Sequence, residues 1–122
     1  MKETKIYIHN LLLRTIVGIK PDERVQKQDV VLNIEIVVDA EQAIEQDNIE
    51  LALDYRSLTK EIIEFVESSH FYLLERLVHE VLQIILKKEQ VLRCKVKVDK
   101  PHALRFAQSV AVEMEGWNKT EE

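Results

Sequence analysis

The chain is poor in the residues that interrupt regular structure or form cross-links. Its 122 residues include two glycines, two prolines and a single cysteine, Cys94. So few glycines and prolines predict long strands and helices joined by few tight turns. One cysteine excludes an internal disulfide bond, and its place in an alternating apolar run favours a small buried side chain over a reactive thiol.

Long apolar runs and blocks of like charge are also lacking. No segment reaches the ~18 apolar residues that cross a membrane, and no signal-peptide core precedes the first strand-like pattern. We therefore expect no membrane partner and a cytoplasmic location. The 22 acidic and 17 basic residues are interspersed and give a formal net charge of -5, so we expect no nucleic-acid partner.

Motifs that bind metals or phosphate loops are missing as well. The sequence has no glycine-rich phosphate loop and no nucleophile elbow. Its histidines are scattered, without the convergent spacing of zinc ligands. We expect no metal and no cofactor. The four histidines are His9, His70, His79 and His102.

The hydrophobic pattern predicts strand, strand, helix, helix, strand, strand. Alternating residues indicate strands over 6–17, 30–39, 92–98 and 106–115, with a bend or bulge in the first near Asn10. Helical spacing indicates one helix that Asp54 caps and a second after a break at 68–70, and residues 40–47 suit a short helix. This order predicts one α+β domain over 1–117, in which an antiparallel four-stranded sheet carries two helices on one face. A polar tail follows over 118–122.

The other face of the predicted sheet is polar. A solvated face explains this pattern, and so does a polar lumen inside an assembled barrel. Long strand edges favour pairing with another subunit. The residues of this face are Tyr7, His9, Asn33, Glu35, Arg93, Lys95, Lys97, Glu113 and Glu115.

Four short motifs carry a resemblance to the dihydroneopterin aldolase family over nearly the whole chain. They are Gly-Ile-Lys-Pro-Asp-Glu at 18–23, Leu-Asp-Tyr at 53–55, Phe-Tyr-Leu-Leu-Glu at 71–75 and Asp-Lys-Pro at 99–101. Each motif contains a polar residue that, considered alone, is typical of an ordinary surface position. Lys100 follows a strand, where most lysines face water, and Glu75 suits the start of a helix in any protein.

The resemblance implies a fold, an assembly and a site. The fold is the tunnelling fold, in which four subunits join their sheets into a barrel and two rings stack as a homo-octamer. The site lies between neighbouring subunits and takes a small-molecule pterin without a cofactor. Glu75 and Leu74 hold the pterin ring, while Lys100, Tyr55 and Glu23 are the catalytic residues, with Lys100 as the acid/base.

The segment after Lys100 resembles the epimerases of this family more than its aldolases. It reads His-Ala-Leu-Arg at 102–105, with His102 where aldolases typically have glycine. This resemblance implies inversion of C2′ of 7,8-dihydroneopterin triphosphate, by retro-aldol cleavage and re-addition, to 7,8-dihydromonapterin triphosphate. Arg105 and His102 are then candidates for binding the phosphates, since the planar guanidinium of arginine suits phosphate oxygens.

Two alternatives stay open. One is an aldolase of folate biosynthesis that releases glycolaldehyde and 6-hydroxymethyl-7,8-dihydropterin. The other is a ring that binds pterins without catalysis, which would keep Glu75 but tolerate loss of Lys100.

Overall fold

Two long strands of alternating apolar residues begin the fold. The computed structural model describes residues 1–118. In it β1 (Glu3–Val17) and β2 (Gln28–Asp39) pair antiparallel. The apolar residues of β2 face the core and its polar residues face the other side, as period-two alternation requires.

A bulge at Asn10 divides β1 into two halves. The register with β2 shifts between Ile8 and Leu11, and Asn10 has a φ of 51°. Asparagine tolerates this left-handed conformation better than most residues, and Asn33 accepts the Asn10 N–H at 2.9 Å. The core-facing positions therefore change from even to odd numbers along β1. The predicted bulge is confirmed.

The helices follow β2 and cover one face of the sheet. α1 (Glu41–Gln46) and a 3₁₀ turn (Ile49–Leu51) lead to α2 (Tyr55–Glu67). Asp54 caps α2 by accepting the Ser57 N–H at 3.0 Å, as the sequence predicts. α3 is the last helix (Leu74–Leu86).

The sheet contains one strand more than the sequence pattern predicts. Its order is β3-β1-β2-β4-β5, with β3 (His70–Phe71) parallel to β1 and the other pairs antiparallel. The four predicted strands are present, and the sequence pattern misses β3 because its two residues are too few to show a period. The last two strands are β4 (Val91–Pro101) and β5 (Ser109–Trp117).

The start of the last strand also differs from its prediction at residue 106. Phe106 has a φ of 71° and His102 one of 63°, which strand geometry excludes. Both residues therefore belong to the loop 102–108, and β5 begins at Ser109. Phe106 is 98% exposed.

The core lies between the sheet and the two long helices. α3 packs on β4 and β5, and α2 packs on β1. Their buried stripes face the apolar side of the sheet, where each fully buried Leu, Ile or Val contributes about 1.5–3 kcal/mol. The stripes consist of Leu58, Ile62 and Val66 on α2, and Leu74, Leu77, Val78, Val81, Leu82 and Ile85 on α3.

The opposite face of the sheet carries the polar residues assigned to it from the sequence. Tyr7, His9, Asn33, Glu35, Lys95, Lys97 and Glu113 line a shallow depression there. The rings of Tyr7 and His9 stack with centroids 5.5 Å apart.

Two sequence-based expectations concern the ends and surroundings of the chain. Within residues 1–118 no helix has the length and apolarity to cross a membrane. Of the predicted polar tail, residues 119–122 lie outside the described part of the chain. Asn118 donates its N–H to the Leu92 carbonyl at 2.9 Å, so the first tail residue continues the edge of the sheet.

Candidate active site

A partly buried ion pair joins the end of β4 to the loop between β1 and β2. Lys100 is the next-to-last residue of β4 and points to the core side, where it is only 9% exposed. Its Nζ donates to Glu23 Oε2 at 2.5 Å. The interpretation of Lys100 as a water-facing lysine is therefore wrong, because β4 continues past 98 and the alternation turns this side chain inward.

The Glu23 carboxylate receives two further hydrogen bonds. The Lys20 N–H donates to Oε1 at 3.2 Å, and Gln28 Nε2 donates to Oε2 at 3.3 Å. The Lys100 hydrogen bond is the largest cause that lowers the pKa of Glu23, with smaller contributions from Lys20 and Gln28, while desolvation opposes them. The pKa falls to about 2, so Glu23 is ionised throughout the neutral range.

Gly18 makes room for this carboxylate. A Cβ on Gly18 would lie 2.4 Å from the carboxyl carbon of Glu23, and its φ is 140°. Any other residue here would meet both a steric clash and a backbone conformation that L side chains rarely adopt. The glycine of the 18–23 motif is therefore a packing requirement of the ion pair.

Glu75 lies in the first turn of α3, on the side of the molecule that holds the ion pair. The Gly18 N–H donates to the Phe71 carbonyl at 3.2 Å, which brings the Glu23 loop against the segment leading into α3. Glu75 is exposed and makes no hydrogen bond or ion pair within residues 1–118. No side chain caps α3, so the N–H groups of Leu74 and Glu75 are also available to a ligand.

Tyr55 lies at the end of the fold opposite to Lys100. It is 54% exposed and lines a cavity of about 910 Å³ together with Lys88 and Gln90, which precede β4. Lys100 follows Gln90 by ten residues of mostly extended chain, or about 33 Å at the rise of a strand. A single chain therefore brings Glu23 and Lys100 together but does not bring Tyr55 to them.

His102 and Arg105 lie in the loop that starts beside Lys100. Pro101 pairs with Ser109 at the base of this loop. The side chains of His102 and Arg105 are both exposed. The Arg105 guanidinium lies 5.2 Å from the ring centroid of Phe106. Neither residue forms an ion pair in the described part of the chain, so the guanidinium of Arg105 and the imidazole of His102 can both reach a ligand at this end of the sheet.

Gln28 and Arg24 take part in this region but were missed by sequence reasoning. Gln28 opens β2, and Arg24 follows Glu23 and bonds backbone carbonyls. Neither belongs to a pattern with a known chemical meaning, so only the fold identifies them.

As for metals, residues 1–118 contain no group of three or more His, Cys, Asp or Glu side chains placed to hold an ion.

Comparisons with known proteins agree with this geometry. Residues 6–115 match the family model described as dihydroneopterin aldolase. The chain is 46% identical over 112 residues to a dihydroneopterin triphosphate 2′-epimerase of Pseudomonas aeruginosa, covering 92% of this chain and 91% of that one.

Two proteins of Escherichia coli K12 allow a comparison within one organism. The chain is 43% identical to its dihydroneopterin triphosphate 2′-epimerase, covering 93% of this chain and 94% of that one. It is 28% identical to its dihydroneopterin aldolase, over 96% of both. The solved structure of E. coli dihydroneopterin aldolase in complex with neopterin aligns with a TM-score of 0.87 and 27% identity, covering 93% of this chain and 98% of that one.

The low pKa of Glu23 predicts a defined acid limb of stability. A carboxyl group whose pKa in the folded state lies below its ordinary value stabilises the fold at every pH above the ordinary pKa. This contribution is lost as the pH falls toward the pKa of the folded state. We expect Glu23→Gln to lose roughly 1–3 kcal/mol of unfolding free energy at pH 7. The loss should shrink from pH ~4.5 downward and nearly vanish at pH ~2.

Urea unfolding of both proteins across this pH range measures the difference. Glu67→Gln is the matched control, since Glu67 is exposed and has no partner in the described residues; it should differ little from wild type at any pH. A Glu23→Gln penalty that is constant with pH would contradict the assignment.

Proposed function

The chain belongs to the dihydroneopterin aldolase family, and from that premise we propose that it is an epimerase of dihydroneopterin triphosphate. It inverts C2′ of 7,8-dihydroneopterin triphosphate to give 7,8-dihydromonapterin triphosphate. The observation that carries the proposal is the partly buried pair of Glu23 and Lys100, together with an uncommitted Glu75 that follows the segment bonded to the Glu23 loop. The fold of the chain supports the same proposal, since the similar structure of E. coli dihydroneopterin aldolase was solved with neopterin bound.

Glu75 is the group that holds the pterin. The edge of the pterin ring presents parallel N–H donors, and a carboxylate accepts two such bonds at once. Leu74 contributes its free backbone N–H at the start of α3. Both groups lie close to the Glu23 loop, so a ring bound there directs its C6 side chain toward Lys100.

Cleavage needs no cofactor because the dihydropterin supplies its own electron sink. When the 2′-hydroxyl loses its proton, the C1′–C2′ bond breaks and its electron pair enters the C6=N5 imine. The products are an aldehyde at C2′ and an enamine between C6 and C1′, whose N5 takes up one proton from solvent and gives it back on re-addition. Lys100 is the acid/base: in the enzyme form in which it has released its proton to solvent, its amine takes the hydroxyl proton, and the ammonium so formed returns a proton to the aldehyde oxygen during re-addition.

Re-addition to the opposite face of the aldehyde inverts C2′ and restores every proton. Release of the aldehyde instead, with protonation of the enamine at C1′, is the aldolase reaction. Both outcomes share one cleavage step, so the same residues serve both. The chain's higher identity to the E. coli epimerase than to the E. coli aldolase, 43% against 28%, favours epimerisation.

The complete site requires a second copy of the chain. Tyr55 lies at the opposite end of the subunit from Lys100, and the outer edges of β5 and of the first half of β1 are unpaired in the described chain. We propose that these edges join four sheets into a barrel, within a homo-octamer, and bring Tyr55 of one subunit to Lys100 of its neighbour. Residues 1–117 would act as a single domain of this cytoplasmic assembly.

The phosphates are assigned to the loop 102–108. The aldehyde fragment carries the triphosphate, so a cationic grip on it keeps the fragment in place until re-addition. Arg105 and His102 are exposed beside the end of β4 without an acidic partner in the described residues. A planar guanidinium binds phosphate oxygens in pairs.

Comparison of two substrates tests the proposed function. Wild-type protein should convert dihydroneopterin triphosphate mainly to its C2′ epimer and should release little 6-hydroxymethyl-7,8-dihydropterin. Lys100→Met should lower turnover by about 10²–10⁴-fold, the usual contribution of a general acid/base. Chromatography that separates the stereoisomers reads both products. Quantitative aldehyde release from unphosphorylated dihydroneopterin, without epimerisation of the triphosphate, would assign the protein as an aldolase.

Loss of the phosphate grip should change the product as well as the affinity. Arg105→Ala should raise the KM for the triphosphate about tenfold, because a charge-assisted hydrogen bond contributes ~1.5–3 kcal/mol. It should also shift products from the epimer toward 6-hydroxymethyl-7,8-dihydropterin, because the aldehyde escapes before re-addition. Unphosphorylated dihydroneopterin, the matched control substrate, should be little affected. An unchanged KM and product ratio would remove Arg105 from this role.

A further inference from the structure

Arg24 connects three backbone carbonyls near the candidate site. Its Nη1 donates to the Gly18 carbonyl at 3.2 Å and to the Phe71 carbonyl at 3.0 Å, and its Nη2 donates to the His70 carbonyl at 2.8 Å. Its Cζ lies 3.9 Å from the ring centroid of Tyr72. The guanidinium is thus held on one face by an aromatic ring and at its edge by carbonyls of two different segments.

These two segments carry the two halves of the proposed chemistry. Gly18 begins the loop that bears Glu23, the partner of Lys100. His70 and Phe71 form β3, which leads within four residues to Glu75. Besides Arg24, the described residues link them through the Gly18 N–H bond to the Phe71 carbonyl, the short pairing of β3 with β1, and the hydrogen bonds of Thr15 to Ser69 just before β3.

We propose that Arg24 is a positioning residue, which sets the distance between the acid/base pair and the start of α3 that binds the substrate. It acts through the Glu23 loop and touches no reacting atom. The inference rests on the proposed function for its kinetic consequence, but its geometric content stands on these contacts alone.

Only arginine suits this position. Its planar fork presents several N–H donors in fixed directions, so one group bonds three carbonyls that belong to two segments. Its flat face stacks on Tyr72 at the same time. A lysine at 24 would offer a single ammonium on a flexible stem, which cannot reproduce both edges of the fork.

Loss of Arg24 should therefore impair turnover more than binding. Without the Arg24 hydrogen bonds, Glu75 still binds the ring, but the ring is displaced relative to Lys100. Misplacement by about 1 Å can lower the rate ~100-fold. We expect Arg24→Ala and Arg24→Lys to lower kcat about 10–100-fold. The dissociation constant of neopterin, an unreactive probe of ring binding, should change less than about threefold, a difference below ~1 kcal/mol.

Two measurements and a matched control variant separate this role from a general loss of stability. Methylguanidinium at tens of millimolar should restore part of the kcat of Arg24→Ala, which has an empty site, but not that of Arg24→Lys. Amide exchange of the Gly18 N–H should accelerate in both variants. Arg14→Ala is the matched control, since Arg14 also bonds a carbonyl of this loop, that of Lys27 at 3.0 Å, but does not reach β3. It should behave as wild type in kcat, in neopterin binding and in exchange at Gly18.

The outcomes separate the two claims. A wild-type kcat in Arg24→Ala, or a loss of neopterin binding as large as the loss of kcat, would overturn the positioning role. If wild-type protein converts neither pterin, the proposed function fails instead. In that event amide exchange at Gly18 still tests whether Arg24 holds the Glu23 loop against β3, and unchanged exchange in Arg24→Ala overturns that claim.

Discussion

The hydrogen-bonded ion pair of Glu23 and Lys100 is the contact on which the candidate site depends. It joins residues 77 apart in the chain and holds the β1–β2 loop over the end of β4. Removing one partner of such a shielded pair leaves the other charge uncompensated, which costs more than the pair contributes. The surrounding residues serve this contact: Gly18 leaves space for the carboxylate, Gln28 donates to it, and Arg24 fixes the loop that carries it.

The dimensions of the chain keep Tyr55 away from the ion pair. The ion pair lies where β1 ends and β4 ends, while Tyr55 starts α2 at the other end of the layer. A helix of 13 residues is about 20 Å long, and no side chain spans that distance. The open edges of the sheet and its polar face, which carries Lys95 and Lys97, suit closure of several sheets around a polar lumen.

The sequence predicts the long elements well because their patterns are long. The alternation of β2, the Asp54 cap, the α3 stripe and the bulge at Asn10 all have local causes and are confirmed. The two-residue β3 and the late start of β5 escape prediction, since they depend on contacts with β1 and on the positive φ of Phe106. At the candidate site, family motifs predict Glu23, Glu75 and Lys100, which stay predictions, and the inward orientation of Lys100 and the contacts of Gln28 and Arg24 come only from tertiary structure.

The central claim is that Lys100 and Tyr55 act together only across two copies of the chain. Lys100→Met and Tyr55→Ala should each be inactive alone. If the two variants are unfolded together in urea and refolded as a mixture, random assembly in a symmetric ring leaves about a quarter of the sites with both residues intact. The account predicts that the mixture regains roughly that fraction of wild-type turnover, while variants refolded separately and then combined stay inactive. A co-refolded mixture as inactive as its parents would contradict it.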